Sequence, residues 1–74
     1  MILKMTTIRV EDIQPPTYFN IAQSNLKGKR RKHFSARVGQ AMFRVTEEFS
    51  DGNVRVVHDG SNAEDAVAAY NALV

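Results

Sequence analysis

"HFSARVGQAMFRVTEEFSDGNVRVVHDG", residues 33 to 60, decides how this chain folds. Phe34, Ala36 and Val38 alternate with His33, Ser35 and Arg37. After a Gly39-Gln40 break, Phe43 and Val45 alternate with Met42, Arg44 and Thr46. A period of two is that of a strand, whose successive side chains point to opposite faces, and a glycine between two such runs permits a turn or a bulge. "SDGN", residues 50 to 53, is hairpin chemistry, because glycine accepts positive φ at little steric cost. Val54 and Val56 then alternate with Arg55 and Val57, which predicts a third strand.

On the C-terminal side, "DGSNAEDAVAAYNALV" predicts a helix. Ser61, three residues before Glu64, makes a capping-box pattern. Glu64 and Asp65 suit the positive end of the helix dipole, and the alanines supply propensity. Ala63, Ala66, Val67, Tyr70, Leu73 and Val74 fall on one face, which is expected to cover the sheet. On the N-terminal side, Thr6, Ile8 and Val10 alternate with Thr7, Arg9 and Glu11 as a short strand that ends at Pro15 and Pro16. "TYFNIAQSNL", residues 17 to 26, fits a strand through Phe19 and Ile21, or a helix through Phe19, Ala22 and Leu26. We read it as strand.

A chain of 74 residues closes one core, so a single domain is expected. Its parts are N-terminal strand or strands with a Pro-Pro turn (1–26), a basic loop (27–32), a three-stranded antiparallel sheet (33–60) and a helix (61–74). The predicted fold class is α+β, a small antiparallel sheet of three or more strands with one C-terminal helix on one face. With 43% apolar and 24% charged residues the composition is globular. The absence of cysteine excludes a disulfide framework and any cysteine zinc site. "MILKMTTIRV" has too few apolar residues for a signal-peptide core or a membrane span, so a soluble cytoplasmic protein is expected, with no membrane partner.

The formal net charge is only +2, but residues 13 to 46 contain no acid. Lys27, Lys29, Arg30, Arg31, Lys32, Arg37 and Arg44 make that segment +7, and eight acids against Lys4, Arg9 and Arg55 make the rest −5. A patch of this kind draws in a polyanion even at modest net charge, and counterion release makes the binding salt-dependent. If the apolar positions of the strands face the helix, alternation turns Arg37, Arg44 and Arg55 to the open face of the sheet. Guanidinium groups so placed can bind phosphates or take guanine edges, and a β-ribbon fits the major groove. The run from Lys27 to Lys32 would then act as an arm on the phosphate backbone. Against this stands the plain alternative, a solvated run and stem-packed arginines that serve solubility alone. "KGKRRK" also matches a nuclear-import signal.

Residues 33 to 74 resemble the AP2/ERF and integrase-type DNA-binding domain. "AEDAVAAYNA", Ala63 to Ala72, is similar to that family's helix pattern, and the stretch before it sits where the family keeps three strands. The resemblance implies a three-stranded sheet on one helix and duplex DNA bound through the sheet in the major groove by arginines and tryptophans. The chain has no tryptophan. The matching outward arginines are Arg37, Arg44 and Arg55.

No catalytic constellation is visible. His33 and His58 lack metal-ligand spacing, His58 and Asp59 are neighbours on opposite strand faces, and there is no nucleophile elbow or phosphate loop. Tyr18, Phe19 and Phe34 flank the basic run and could stack on unpaired bases, though their alternation fits core equally well. The sequence therefore points to a non-enzymatic DNA-binding protein without cofactor. The candidate contacts are Lys27, Lys29, Arg30, Arg31, Lys32, Arg37, Arg44 and Arg55. The alternative is a small phage-type inhibitor or regulator that uses the same charge against a host protein machine such as RNA polymerase or a CRISPR effector.

Overall fold

Strand alternation in the middle of the chain becomes a four-stranded antiparallel meander, with neighbours in the order β1-β2-β3-β4. The computed structural model describes residues 2–13, 19–37 and 42–74, with backbone alone for Phe19 and Arg37. The strands are β1 (Phe19–Leu26), β2 (Arg30–Arg37), β3 (Met42–Glu48) and β4 (Val54–Gly60), and one helix, α1 (Ala63–Ala72), follows. The expected α+β class is what forms. The Pro15-Pro16 turn, Tyr18, Val38 and the Gly39-Gln40 break lie outside the described residues.

Residues 19–26 are strand, β1, so the sheet has a fourth member beside the three expected. The basic segment is not a loop of six. Residues 27–29 form a tight turn and Arg30, Arg31 and Lys32 already belong to β2, paired with Leu26, Asn25 and Ser24. The hairpin closes early because Gly28 takes φ +76° and the chain reverses there. The strand expected over residues 6–11 does not form. Leu3 makes one parallel bridge to Ala22, and Val10–Asp12 is a 3-10 turn whose Asp12 Oδ2 accepts from Arg9 N at 2.8 Å. A short carboxylate that satisfies its own backbone competes with strand pairing.

The core lies between the helix and one face of the sheet. Ile8, Ile21, Ala22, Phe34, Val45, Ala66, Val67 and Tyr70 are buried in it, with Tyr70 edge-on to Phe34 at 6.0 Å between centroids. The helix lies over β2, β3 and β4. Its N-cap is Asn62, whose Oδ1 accepts from Asp65 N at 3.0 Å, one residue beyond the Ser61 box expected from sequence. Within its expected face Ala66, Val67 and Tyr70 are buried, while Val74 is exposed. Between Phe49 and Asn53 the "SDGN" hairpin closes through Phe49 N donating to Asn53 O, with Gly52 at φ +91°.

One register shift redistributes β4. Val45 pairs with His58 but Thr46 pairs with Val56, so Val57 is the extra residue of a bulge. Alternation therefore changes phase. Val54 and Val56, expected in the core, are 60% and 53% exposed, and Val57 packs against the core instead. The N-terminal segment is held by tertiary bonds. Asn71 grips the Ile8 backbone through both its N–H and its carbonyl at 2.9 Å, and Tyr70 Oη donates to Met5 O at 2.6 Å. No described helix is long and apolar enough to cross a membrane.

Candidate nucleic-acid interface

Strand parity sorts the cationic run. Phe34 pairs with Val45 and Lys32 with Glu47, so Arg30, Lys32 and Phe34 share the helix-side face with Val45 and Glu47. Lys32 is fully buried there, contrary to its expected place in a phosphate-binding arm. Its Nζ donates to the carbonyls of Thr6, Tyr70 and Leu73 and stands 4.0 Å above the Tyr70 ring. These bonds tie the N-terminal segment and the last turn of α1 to β2. The Tyr70 carbonyl accepts from Leu73 N as well, so Lys32 adds a second donor at the C-terminal end of the helix. Burial lowers the Lys32 pKa below the usual lysine value and pushes the Tyr70 hydroxyl up to about 12.

Glu47 is the second buried charge. Arg55 donates to its Oε1 from Nε and Nη2 at 3.1 and 2.7 Å, and Arg30 donates to its Oε2. The Arg55 hydrogen bonds hold the Glu47 carboxyl below the usual carboxylate range. Arg30 assists, and burial opposes them. Arg30 is further committed to the carbonyls of Lys27 and Val74, at 2.9 and 2.7 Å. Arg55 is thus not on the open face: the bulge at Val57 leaves it opposite Glu47 on the helix side. Arg30 and Arg55 are parts of a structural Arg-Glu-Arg cluster.

Arg44 lies on the open face, as expected, but its Nη2 donates to Asp59 Oδ2 at 3.0 Å across the β3–β4 pair. The neighbouring His33 pairs with Glu48 at 3.0 Å. The middle of the open face therefore presents the Arg44–Asp59 ion pair and the His33–Glu48 hydrogen bond beside Thr46 and Val56. Arg37 closes β2 opposite Met42, and its side chain lies outside the described residues. Arg44 and Arg55, two of the three arginines carried over from the AP2/ERF resemblance, stand on opposite faces.

Arg9 stands 3.8 Å from the Glu11 carboxylate, which leaves four cations. Among the described residues Lys4, Lys27, Lys29 and Arg31 make no ion pair. They gather at the β1–β2 hairpin end. Lys4, Gln23, Asn25 and Arg31 line an open groove of about 500 Å³, and Asn25, Lys29, Arg31, Glu48, Phe49 and Ser50 line a second of about 550 Å³. Asn25 and Arg31 belong to both, with Arg31 Nε donating to Asn25 Oδ1 at 3.3 Å, so the two grooves adjoin. Lys29 sits at the tip with φ +59°, a left-handed conformation that favours glycine. Sequence reasoning missed Lys4, whose charge was remote from the run, and Asn25 and Phe49, which carry no charge. The one-residue pairing of Leu3 with β1 is what brings Lys4 alongside Gln23. Compared with family models, with curated proteins and with solved structures, the chain has no match.

Proposed function

We propose that this chain is a non-enzymatic nucleic-acid-binding protein that takes phosphates at the β1–β2 hairpin end of its sheet. The observation that carries the reading is the division of the described cations. Arg9, Arg30, Lys32, Arg44 and Arg55 have internal partners, and of the four cations left, Lys4, Lys29 and Arg31 line two adjoining grooves, with Lys27 in the turn beside them. Uncompensated like charges repel, and a polyanion relieves that repulsion while releasing its own counterions. Lys29 supports the reading, because a cation is kept where the backbone conformation favours glycine. The contact set differs from the sheet-face arginines that sequence alone suggested: backbone binding is assigned to the hairpin end, and base reading by Arg44 and Arg55 is dropped.

The test is a binding titration against nucleic acid at several salt concentrations. Four phosphate contacts give a slope of log K against log salt of about −3 to −4. Lys29→Gly should remove one contact and shallow the slope by about 0.7 to 0.9. Because glycine suits that φ, the fold should stay within about 1 kcal/mol of the parent. A folded protein that binds no nucleic acid at low salt would overturn the reading and leave a protein partner as the role of the charge.

A further inference from the structure

The larger groove is not a pure phosphate cradle. It lies between the two hairpins at one end of the sheet. Lys29 and Arg31 come from the β1–β2 side, and Glu48, Phe49 and Ser50 come from the β3–β4 side. A carboxylate in the lining disfavours a phosphate beside it but accepts hydrogen bonds from an exocyclic amino group. Glu48 is 42% exposed and is held by His33 Nε2 through Oε1, which leaves its other oxygen free of hydrogen bonds among the described residues. Phe49, the aromatic residue of the lining, is half-buried, and its backbone is fixed by the hairpin bond to Asn53 O. Asn25 adds an amide beside Arg31. A lining of about 550 Å³ with one ring, one carboxylate, one amide and flanking cations has the size and chemistry of a nucleotide site.

We infer that this groove holds one unpaired nucleobase of a single-stranded nucleic acid, against Phe49, with the base's amino group on Glu48 and the flanking phosphates on Lys29 and Arg31. The inference rests on the nucleic-acid reading above and adds to it the strandedness and the base class. A base inside a duplex has its faces covered by its neighbours and its pairing edge occupied, so only an unpaired base can use the ring and the carboxylate together. Cytosine offers an exocyclic amino donor where thymine offers a carbonyl oxygen, and thymine's ring N–H lies between two carbonyl oxygens that repel a carboxylate, so Glu48 discriminates between pyrimidines of similar stacking surface.

The experiment is fluorescence anisotropy of the full chain with labelled oligodeoxycytidylate, oligothymidylate and a mixed-sequence duplex of equal length. The parent should bind the cytidylate strand about tenfold more tightly than the duplex and about fivefold more tightly than the thymidylate strand. Glu48→Gln should abolish the preference between the two pyrimidines, and Phe49→Leu should weaken both single strands about tenfold and spare the duplex. The parent and Glu48→Gln measurements decide the matter even where Phe49→Leu does not fold, as judged by circular dichroism. Equal binding of strand and duplex, with no effect of Glu48→Gln, would overturn this inference and leave phosphate binding at the hairpin end intact. Binding of none of the three would overturn both.

Discussion

Lys32→Met should unfold the protein at low denaturant, although Lys32 lies in the middle of the basic run. The lysine Nζ donates to Thr6 O, Tyr70 O and Leu73 O at 2.5, 2.7 and 3.1 Å and is itself fully buried. Hydrogen bonds from a charged donor contribute about 1.5 to 3 kcal/mol each, so three amount to roughly 4 to 9 kcal/mol. Methionine, similar in length, also removes the desolvation cost of the ammonium, which is several kcal/mol. The difference leaves a net loss of about 2 to 3 kcal/mol against a total stability of about 5 kcal/mol. Urea unfolding followed by circular dichroism, with a slope near 1 kcal/mol per molar for so small a chain, should show the midpoint falling by about 2 to 3 M. Hydrogen exchange should also show early opening of residues 5–8, since the Thr6 tether is lost. The lowered Lys32 pKa gives a second signature. Between its folded value and the ordinary 10.5 the unfolded chain binds more protons, so this group's contribution to stability rises with pH, and Lys32→Met should remove that rise. An unchanged midpoint together with weakened nucleic-acid binding would refute the reasoning, because Lys32 would then be a ligand contact.

Glu47 has a folded pKa below 4.5, so its contribution to stability is present above that value and is lost as pH falls through the folded value. Glu47→Gln should lower the urea midpoint at neutral pH and flatten its decline in acid. Tyr70 is raised from 10.0 to about 12, so its contribution is complete below pH 10 and is lost as pH rises to about 12. In Tyr18→Phe the tyrosinate absorbance should titrate near 12, and a midpoint near 10 would mean that the Tyr70 hydroxyl is solvated. Asn62→Ala removes the acceptor for Asp65 N and should cost about 1 kcal/mol by urea unfolding, whereas Ser61→Ala should cost much less.

Much of the fold was legible because β2 and β3 keep one phase. Phe34, Ala36, Phe43 and Val45 do lie on the helix side, and the "SDGN" turn and terminal helix stand where glycine chemistry and alanine propensity put them. What failed was the continuation of that phase. In β4 the adjacent Val56 and Val57 leave open which of the two faces the core, and the bulge puts Val57 there and Val56 in solvent. The pair marked the place where Arg55 would turn from the open face to Glu47. The N-terminal alternation of Thr6, Ile8 and Val10 had no such local sign. Its path is set by Asn71, Tyr70 and Lys32, which lie 26 to 65 positions away along the chain, and no window of sequence contains both ends of those bonds.

The site was harder to read for a reason that lies in parity itself. Composition counts Arg30, Arg31 and Lys32 as equal charges, yet a strand sends the even pair inward and Arg31 outward. Lys32 is two residues before Phe34, and Glu47 is two residues after Val45, so the rule that put those hydrophobes in the core also puts this lysine and this carboxylate there. Both are then retained only because carbonyls and arginines surround them. Segregation of charge along the sequence therefore had two causes. Part of the run completes a small core that has no disulfide to close it, and the remainder, joined by Lys4 from the N-terminal segment, is left without an ion pair among the described residues at one end of the sheet. Only that remainder has charge to spare for a partner, and it stands beside Asn25 and Phe49, which no count of charges would have found.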